Sequence, residues 1–166
     1  MDSGVVTSAT EACARRNLAT LRFNFRGVGA STGKHDDGRG EQDDVRAALA
    51  ELRRRLPAGA SVALGGYSFG AAVAAGVAER TPLAGLLLVA PPLRLTSLQP
   101  PAAVTGPILI VVGAEDQYCP EAALEPIRDA MPHATITVLD GADHFFFGSL
   151  QPLAEAVGGW AAAVAA

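Results

Sequence analysis

The sequence predicts an α/β fold, a three-layer α/β/α sandwich built on a mostly parallel sheet. Three observations predict it. Apolar runs of strand length at 60–64, 84–90, 107–112 and 135–139 alternate with segments of helical character. Two of those runs, 84–90 and 107–112, are almost entirely aliphatic, as strands buried on both faces of a parallel sheet are. Gly66-x-Ser68-x-Gly70 stands between the run at 60–64 and a helix at 71–78 that is apolar on every side, which reads as a sharp strand-to-helix turn. A length of 166 residues, with no internal repeat and no shift in composition, fits a single domain over 1–166.

In chain order, residues 3–16 read as a short helix, with Ser3 or Ser8 at its start and Arg15-Arg16 at its end. Residues 19–25 alternate and read as a strand. The glycine-rich loop Arg26-Gly27-Val28-Gly29-Ala30-Ser31-Thr32-Gly33 imitates a phosphate cradle. No helix follows it at once, no Gly-Lys-Ser/Thr is present, and acidic residues crowd the place a phosphate would take, so nucleotide binding is not expected. His35-Asp36-Asp37 reads as a solvated loop, because three adjacent residues cannot all converge on one ion.

Residues 41–56 carry the marks of a helix. Glu41, Asp43 and Asp44 fill the first turn, Val45, Ala48, Leu49, Leu52 and Leu56 form an apolar stripe, and Arg53-Arg54-Arg55 complement the dipole before Pro57. The turn at 66–70 asks for glycine on both sides of Ser68, since nothing larger is expected to fit. Thr81-Pro82 breaks the following helix, and Pro91-Pro92 ends the strand at 84–90. Residues 93–106 read as irregular, either a wall of a substrate pocket or a plain connection. A helix over 121–131 and an alanine-rich helix over 149–165 complete the alternation.

Composition excludes several classes. The net charge of -4 and the absence of a dense Lys/Arg patch argue against nucleic acid as a partner. No apolar stretch is long enough to span a bilayer, so no membrane partner is expected. Cys13 and Cys119 have no metal-ligand spacing and fit a reducing, cytoplasmic setting. The start of the chain has no basic n-region followed by an apolar run, so no signal peptide is expected.

Chemistry in parallel sheets gathers at the carboxyl ends of strands. Ser68, Asp116 and His144 each lie just past one, in the order Ser, Asp, His. A serine hydroxyl is too weakly acidic to attack unaided. His144 is the candidate to take its proton, and Asp116 the candidate to orient the imidazole. The backbone N–H of Phe69, opening the helix, is a candidate oxyanion donor. Tyr67 and Phe69 are candidates to line a small apolar substrate pocket. Each residue also has a plainer reading: Asp116 as a turn residue with Glu115 as its rival, and His144 as a structural loop histidine. His35 and His133 lie off the strand ends that matter, and Phe145-Phe146-Phe147 reads as packing.

Taken together and in order, Leu21–Gly33, Gly66-Tyr67-Ser68-Phe69-Gly70, Val89-Ala90-Pro91-Pro92, Gly113-Ala114-Glu115-Asp116 with Pro120, and Gly141–Phe146 resemble the α/β-hydrolase superfamily. The resemblance is to small bacterial hydrolases related to dienelactone hydrolases and serine peptidase-like esterases, and it covers nearly the whole chain. It implies a serine hydrolase acting on an ester or related acyl bond of a small-molecule substrate through an acyl-enzyme, with no metal and no organic cofactor. It also implies that Arg26–Gly33 belongs to the scaffold around the site. Ester, lactone and peptide substrates are not separated by these motifs, and nothing in them states an oligomeric state.

The front of the chain departs from that pattern. Relatives carry further strands there, ending in a loop that supplies a second oxyanion donor, with its strand between those at 19–25 and 61–65. The expectation is therefore an N-terminally truncated form of the fold with Met1 as an internal methionine. The alternative to a truncated form is a natural short form, and the alternative to an active hydrolase is a binding-only or impaired remnant lacking half of the oxyanion hole. A sheet without that strand would keep an open edge available for self-pairing.

Overall fold

The computed structural model describes residues 3–166. Its sheet has four strands, β1 (Leu64–Tyr67), β2 (Leu86–Val89), β3 (Ile108–Gly113) and β4 (Thr135–Leu139), all parallel and in the order β1-β2-β3-β4. The helices are α1 (Gly4–Ala14), α2 (Arg39–Arg55), α3 (Phe69–Ala78), α4 (Glu125–Ala130) and α5 (Leu150–Ala165). A sheet whose strands follow one another in sequence, with right-handed crossovers, puts its crossover helices on one face. α3 and α4 lie there, and α2 packs on α3 beside them. α1 and α5 pack on each other across the opposite face. The result is the expected three-layer α/β/α arrangement.

Strand alternation divides the core. Leu86, Leu88, Ile110 and Val112 point to the α2/α3/α4 layer. Leu87, Val89, Leu109 and Val111 point to the α1/α5 layer, where Phe146, Leu153, Val157 and Trp160 meet them. All eight of these strand residues are buried, which is why β2 and β3 read as continuous aliphatic runs rather than as alternation. α3 is rich in alanine because it sits tight on β1 and β2. Ala71, Ala74 and Ala78 are buried against them.

The apolar stripe predicted for α2 faces inward through Val45 and Leu49, with Leu52 and Leu56 packed partly buried beside them. α2 begins at Arg39, earlier than the acidic cluster alone suggests. Gly38 takes φ 89° as its N-cap, and the side chain of Glu41 folds back to accept from the amides of Asp36 (3.0 Å) and Gly38 (2.9 Å). Ser3 caps α1, its Oγ 3.5 Å from the amide of Val6. Among the described residues no helix is long and apolar enough to cross a membrane.

Four expectations need correction. Residues 19–25 form no strand, because none of their backbone amides or carbonyls pairs with a neighbouring strand among the described residues. Their alternation instead seats Phe23 and Phe25 against the core on the α2/α3 side. Second, the first strand is displaced from 60–64 to Leu64–Tyr67. Pairing with β2 runs from Leu64↔Leu86 to Tyr67↔Val89, so Gly66, read as turn, belongs to the strand, Gly70 belongs to α3, and the turn shrinks to Ser68. Third, the helix expected over 121–131 is a 3₁₀ turn (Glu121–Leu124) followed by α4, because Pro126 in the first turn of α4 has no N–H with which to continue a helix from 121. The fourth concerns Gly70. A Cβ there would meet only the Phe25 ring at 3.7 Å, an ordinary contact, so glycine is not required at 70. At Gly66 the expectation holds, since a Cβ would lie 2.1 Å from the carbonyl oxygen of Gly70.

Candidate active site

The loops beyond the carboxyl ends of the strands converge at the end of the sheet. Backbone strain concentrates there as well. Ser68 after β1 (φ 52°), Ala90 after β2 (φ 46°) and Phe146 in the loop after β4 (φ 55°) all hold positive φ without being glycine. The loops following β3 and β4 are stitched together: the amide of Ala114 donates to Leu139 O (2.9 Å) and that of Glu115 to Ala142 O (2.9 Å). Gly113 permits this approach, because a Cβ there would fall 2.2 Å from the carbonyl oxygen of Ala142. The stitching fixes the loop that carries Asp116 relative to the loop that carries His144.

The three candidates from the strand ends meet. Ser68 Oγ lies 2.9 Å from His144 Nε2. His144 Nδ1 lies 2.8 Å from Asp116 Oδ2. The other carboxylate oxygen, Oδ1, accepts from the amides of Tyr118 (2.8 Å) and Cys119 (3.0 Å). Asp116 and His144 are buried, whereas Glu115 is exposed. With Nδ1 donating to the carboxylate, Nε2 is left to accept from the serine hydroxyl. Such an arrangement can draw the proton from Ser68 as its oxygen bonds to carbon.

Ser68 also begins α3, where its own carbonyl accepts from the amides of Ala71 and Ala72. The amides of Phe69 and Gly70 donate to no acceptor among the described residues. They open a ten-residue helix beside the Ser68 hydroxyl, so negative charge developing there meets free donors and the positive end of a dipole.

Tyr67, a candidate pocket residue on sequence grounds, makes a positioning contact. Its hydroxyl donates to the backbone carbonyl of His144 (3.1 Å), tying the end of β1 to the loop that bears the imidazole. Burial, with the charges of Asp116 and Asp143 adding to it, pushes the phenol above its ordinary range, so it remains a donor. Phe69, which follows Ser68, stands edge-on to Phe25 at 5.7 Å. His35, set aside on sequence grounds, lies 5.3 Å from the Phe69 ring and is held by Glu41 Oε1 at 2.9 Å from its Nδ1. Burial resists ionisation of Glu41, and the amide donors of the 36–38 loop outweigh it, leaving its carboxyl below the usual range. His133 is exposed on the loop before β4 and takes no part.

Two contacts escaped sequence reasoning. The rings of Tyr118 and Phe145 stand edge-on to the imidazole at 4.8 and 5.4 Å. The available signal was proximity in sequence, two residues after Asp116 and one after His144. The reading of Phe145–Phe147 as packing holds only for Phe146, which is buried, while its two neighbours are exposed.

Two measurable consequences arise here. Ser68→Gly is expected to raise thermal stability. It relieves positive-φ strain of about 1–3 kcal/mol and gives up one hydrogen bond of about 1 kcal/mol. The net is a rise in Tm of a few degrees, read by circular dichroism; a lower Tm would show that the backbone at 68 is unstrained. The second concerns Cys119, whose thiol is pushed up to about 12 by burial, reinforced by the charge of Asp116. It is expected to resist thiol reagents at pH 8 until the protein unfolds. Modification of the native protein at Cys119 at the rate of a free thiol would contradict the burial.

Known proteins resemble the chain over most of its length. Residues 1–154 match the family described as alpha/beta hydrolase domain. An uncharacterised protein of Rickettsia prowazekii is 32% identical over 95% of this chain and 70% of its own length. A second uncharacterised relative, from Mycobacterium tuberculosis, is 31% identical over 75% of this chain, and the match spans only 56% of that protein. Among solved structures, an alpha-beta serine hydrolase homologue from Coxiella burnetii superposes with a TM-score of 0.87 at 35% identity, covering 95% of this chain and 76% of that one. A serine hydrolase without lid from Xanthomonas campestris gives a TM-score of 0.83 at 34% identity, covering 95% and 72%. With the family matched over most of its length and the strand-end geometry in place, this chain belongs to the α/β-hydrolase family.

Proposed function

We propose that the protein is a serine hydrolase that cleaves carboxylic esters or related acyl bonds of small molecules, with Ser68 as nucleophile, His144 as general base and acid, and Asp116 as the group that orients the imidazole. The observation that carries this reading is the unbroken chain from Ser68 Oγ through the imidazole to a buried carboxylate, 2.9 and then 2.8 Å. In the first half-reaction Oγ bonds to the acyl carbon while its proton passes to His144 Nε2. The carbon–oxygen bond to the alcohol then breaks, and Nε2 returns the proton to the leaving oxygen. In the second half-reaction water attacks the Ser68 ester and gives a proton to Nε2. The acid departs and the proton returns to Oγ. In this reading the amide of Phe69, free and next to Ser68 at the start of α3, is the oxyanion donor. Two free cysteines fit a cytoplasmic setting.

One observation favours a second reading, a binding-only or impaired form. No strand flanks β1 on its outer side among the described residues, and the resemblance puts the approach to a second oxyanion donor there. A single experiment separates the two readings. The purified protein is treated with a fluorophosphonate probe and assayed with short acyl esters. Labelling at Ser68 with ester turnover supports the hydrolase. Folded protein that neither labels nor turns over overturns it.

A further inference from the structure

Phe145 and Phe147 are large apolar side chains left in solvent, at 51% and 78% exposure, next to a buried phenylalanine. Their placement is fixed locally. Asp143 Oδ1 accepts from the amides of both residues, at 3.0 and 3.1 Å, and Phe146 between them anchors the loop in the α1/α5 core. The two exposed rings lie 5.7 Å apart at 35°, and Phe145 also stands edge-on to the His144 imidazole at 5.4 Å. Half-exposed Tyr118 adds a third ring, 4.8 Å from the same imidazole. Exposed aromatic rings beside the imidazole, extended outward by Phe147 on Phe145, mark a surface with something to bind.

Reaction geometry decides what. The proton for the leaving oxygen comes from His144 Nε2, so that oxygen must sit within hydrogen-bond reach of it, about 3 Å away. Whatever is attached to the leaving oxygen therefore begins beside the imidazole and extends over its neighbours. The acyl carbonyl oxygen turns instead towards the free amide of Phe69 at the start of α3. We infer that Tyr118, Phe145 and Phe147 form the subsite for the alcohol portion of the substrate, and that this portion is apolar and ring-bearing. The inference rests on the serine-hydrolase reading and adds a direction to it: the aromatic preference belongs to the leaving group, not to the acyl group.

The test uses the purified protein with three esters. Benzyl acetate and ethyl acetate differ in the alcohol portion while their alcohols leave with similar intrinsic ease. Methyl phenylacetate, an isomer of benzyl acetate, carries the ring on the acyl side. The expected result is a kcat/KM for benzyl acetate about tenfold or more above that for ethyl acetate, in line with the discrimination one well-placed apolar contact gives. Methyl phenylacetate is expected to show no such advantage. Phe145→Ala and Phe147→Ala should each lower the benzyl-to-ethyl ratio about threefold or more. That ratio separates a subsite from general damage, which would reduce both esters alike. An unchanged ratio in both variants, a preference for the ring on the acyl side, or no turnover of any ester would overturn the inference. If fluorophosphonate still labels Ser68 in those cases, the serine-hydrolase reading survives alone; if it does not, both fall together.

Discussion

Ser68→Ala is expected to lower kcat for a short acyl ester by about 10⁵–10⁶-fold, the loss typical when the nucleophile is taken from a group of residues that act as a unit. The size follows from the chain of bonds. His144 and Asp116 would remain in place, but Nε2 would have no hydroxyl to deprotonate, and the imidazole can activate only a poorly placed water. The oxyanion donor would still act, so a small residual rate above the uncatalysed reaction is expected. The fold should survive, because the Cβ is retained and only one partly buried hydrogen bond is lost. Single-turnover kinetics on protein of unchanged circular dichroism checks this. A loss below about a hundredfold would mean that another group delivers the attacking oxygen. If the unmodified protein shows no turnover and its Ser68 resists labelling, the binding-only reading takes the place of the hydrolase.

The sheet was legible because burial on both faces writes itself into sequence. β2 is aliphatic along its whole length and β3 as far as Val112, and four strands alternating with helices leave few architectures open. What failed were decisions that depend on a partner. Residues 19–25 have the alternation of a strand, but a strand exists only where another backbone completes its hydrogen bonds, and among the described residues none does. Alternation reported correctly that one side faces the core, since Phe23 and Phe25 pack there. The start of β1 is a register question of the same kind, settled by where Gly85 and Leu86 come alongside. The split helix at 121–130 was written in Pro126, whose missing N–H outweighs the propensity of its neighbours.

The site was legible for a different reason. Parallel strands deliver their following loops to one end, so residues at 68, 116 and 144 had to approach one another once the strands were placed. Between Glu115 and Asp116 only the packed loop could decide, and it buries the second and exposes the first. Environment beyond the loops was not legible. His35 reaches the Phe69 ring because buried Glu41 draws the 34–38 loop inward, a contact between residues six apart that no spacing rule announces. Likewise the outward turn of Phe145 and Phe147 depends on a positive φ at Phe146, which an apolar triplet gives no cause to expect.

Asp116→Asn carries the second large expectation, a fall in kcat of about 10⁴-fold with little change in Tm. Hydrogen-bond direction explains both halves. At Oδ1 two amides, from Tyr118 and Cys119, both donate, so that position requires an acceptor. An asparagine at 116 satisfies them only by placing its carbonyl oxygen there, which turns its NH₂ towards His144 Nδ1. Nδ1 must then become an acceptor, and the imidazole proton moves to Nε2. A protonated Nε2 in the neutral ring cannot take the Ser68 proton, so the base is lost although every heavy atom stays in place. Stability is spared because each buried donor keeps a partner. Asp116→Ala differs, leaving those two amides and Nδ1 without acceptors, and should lower Tm as well as kcat. The measurement is the rate of fluorophosphonate labelling in the three proteins beside their melting temperatures. If Asp116→Asn slows labelling less than tenfold, the asparagine has flipped, and the amides of Tyr118 and Cys119 are not what fixes the tautomer of His144.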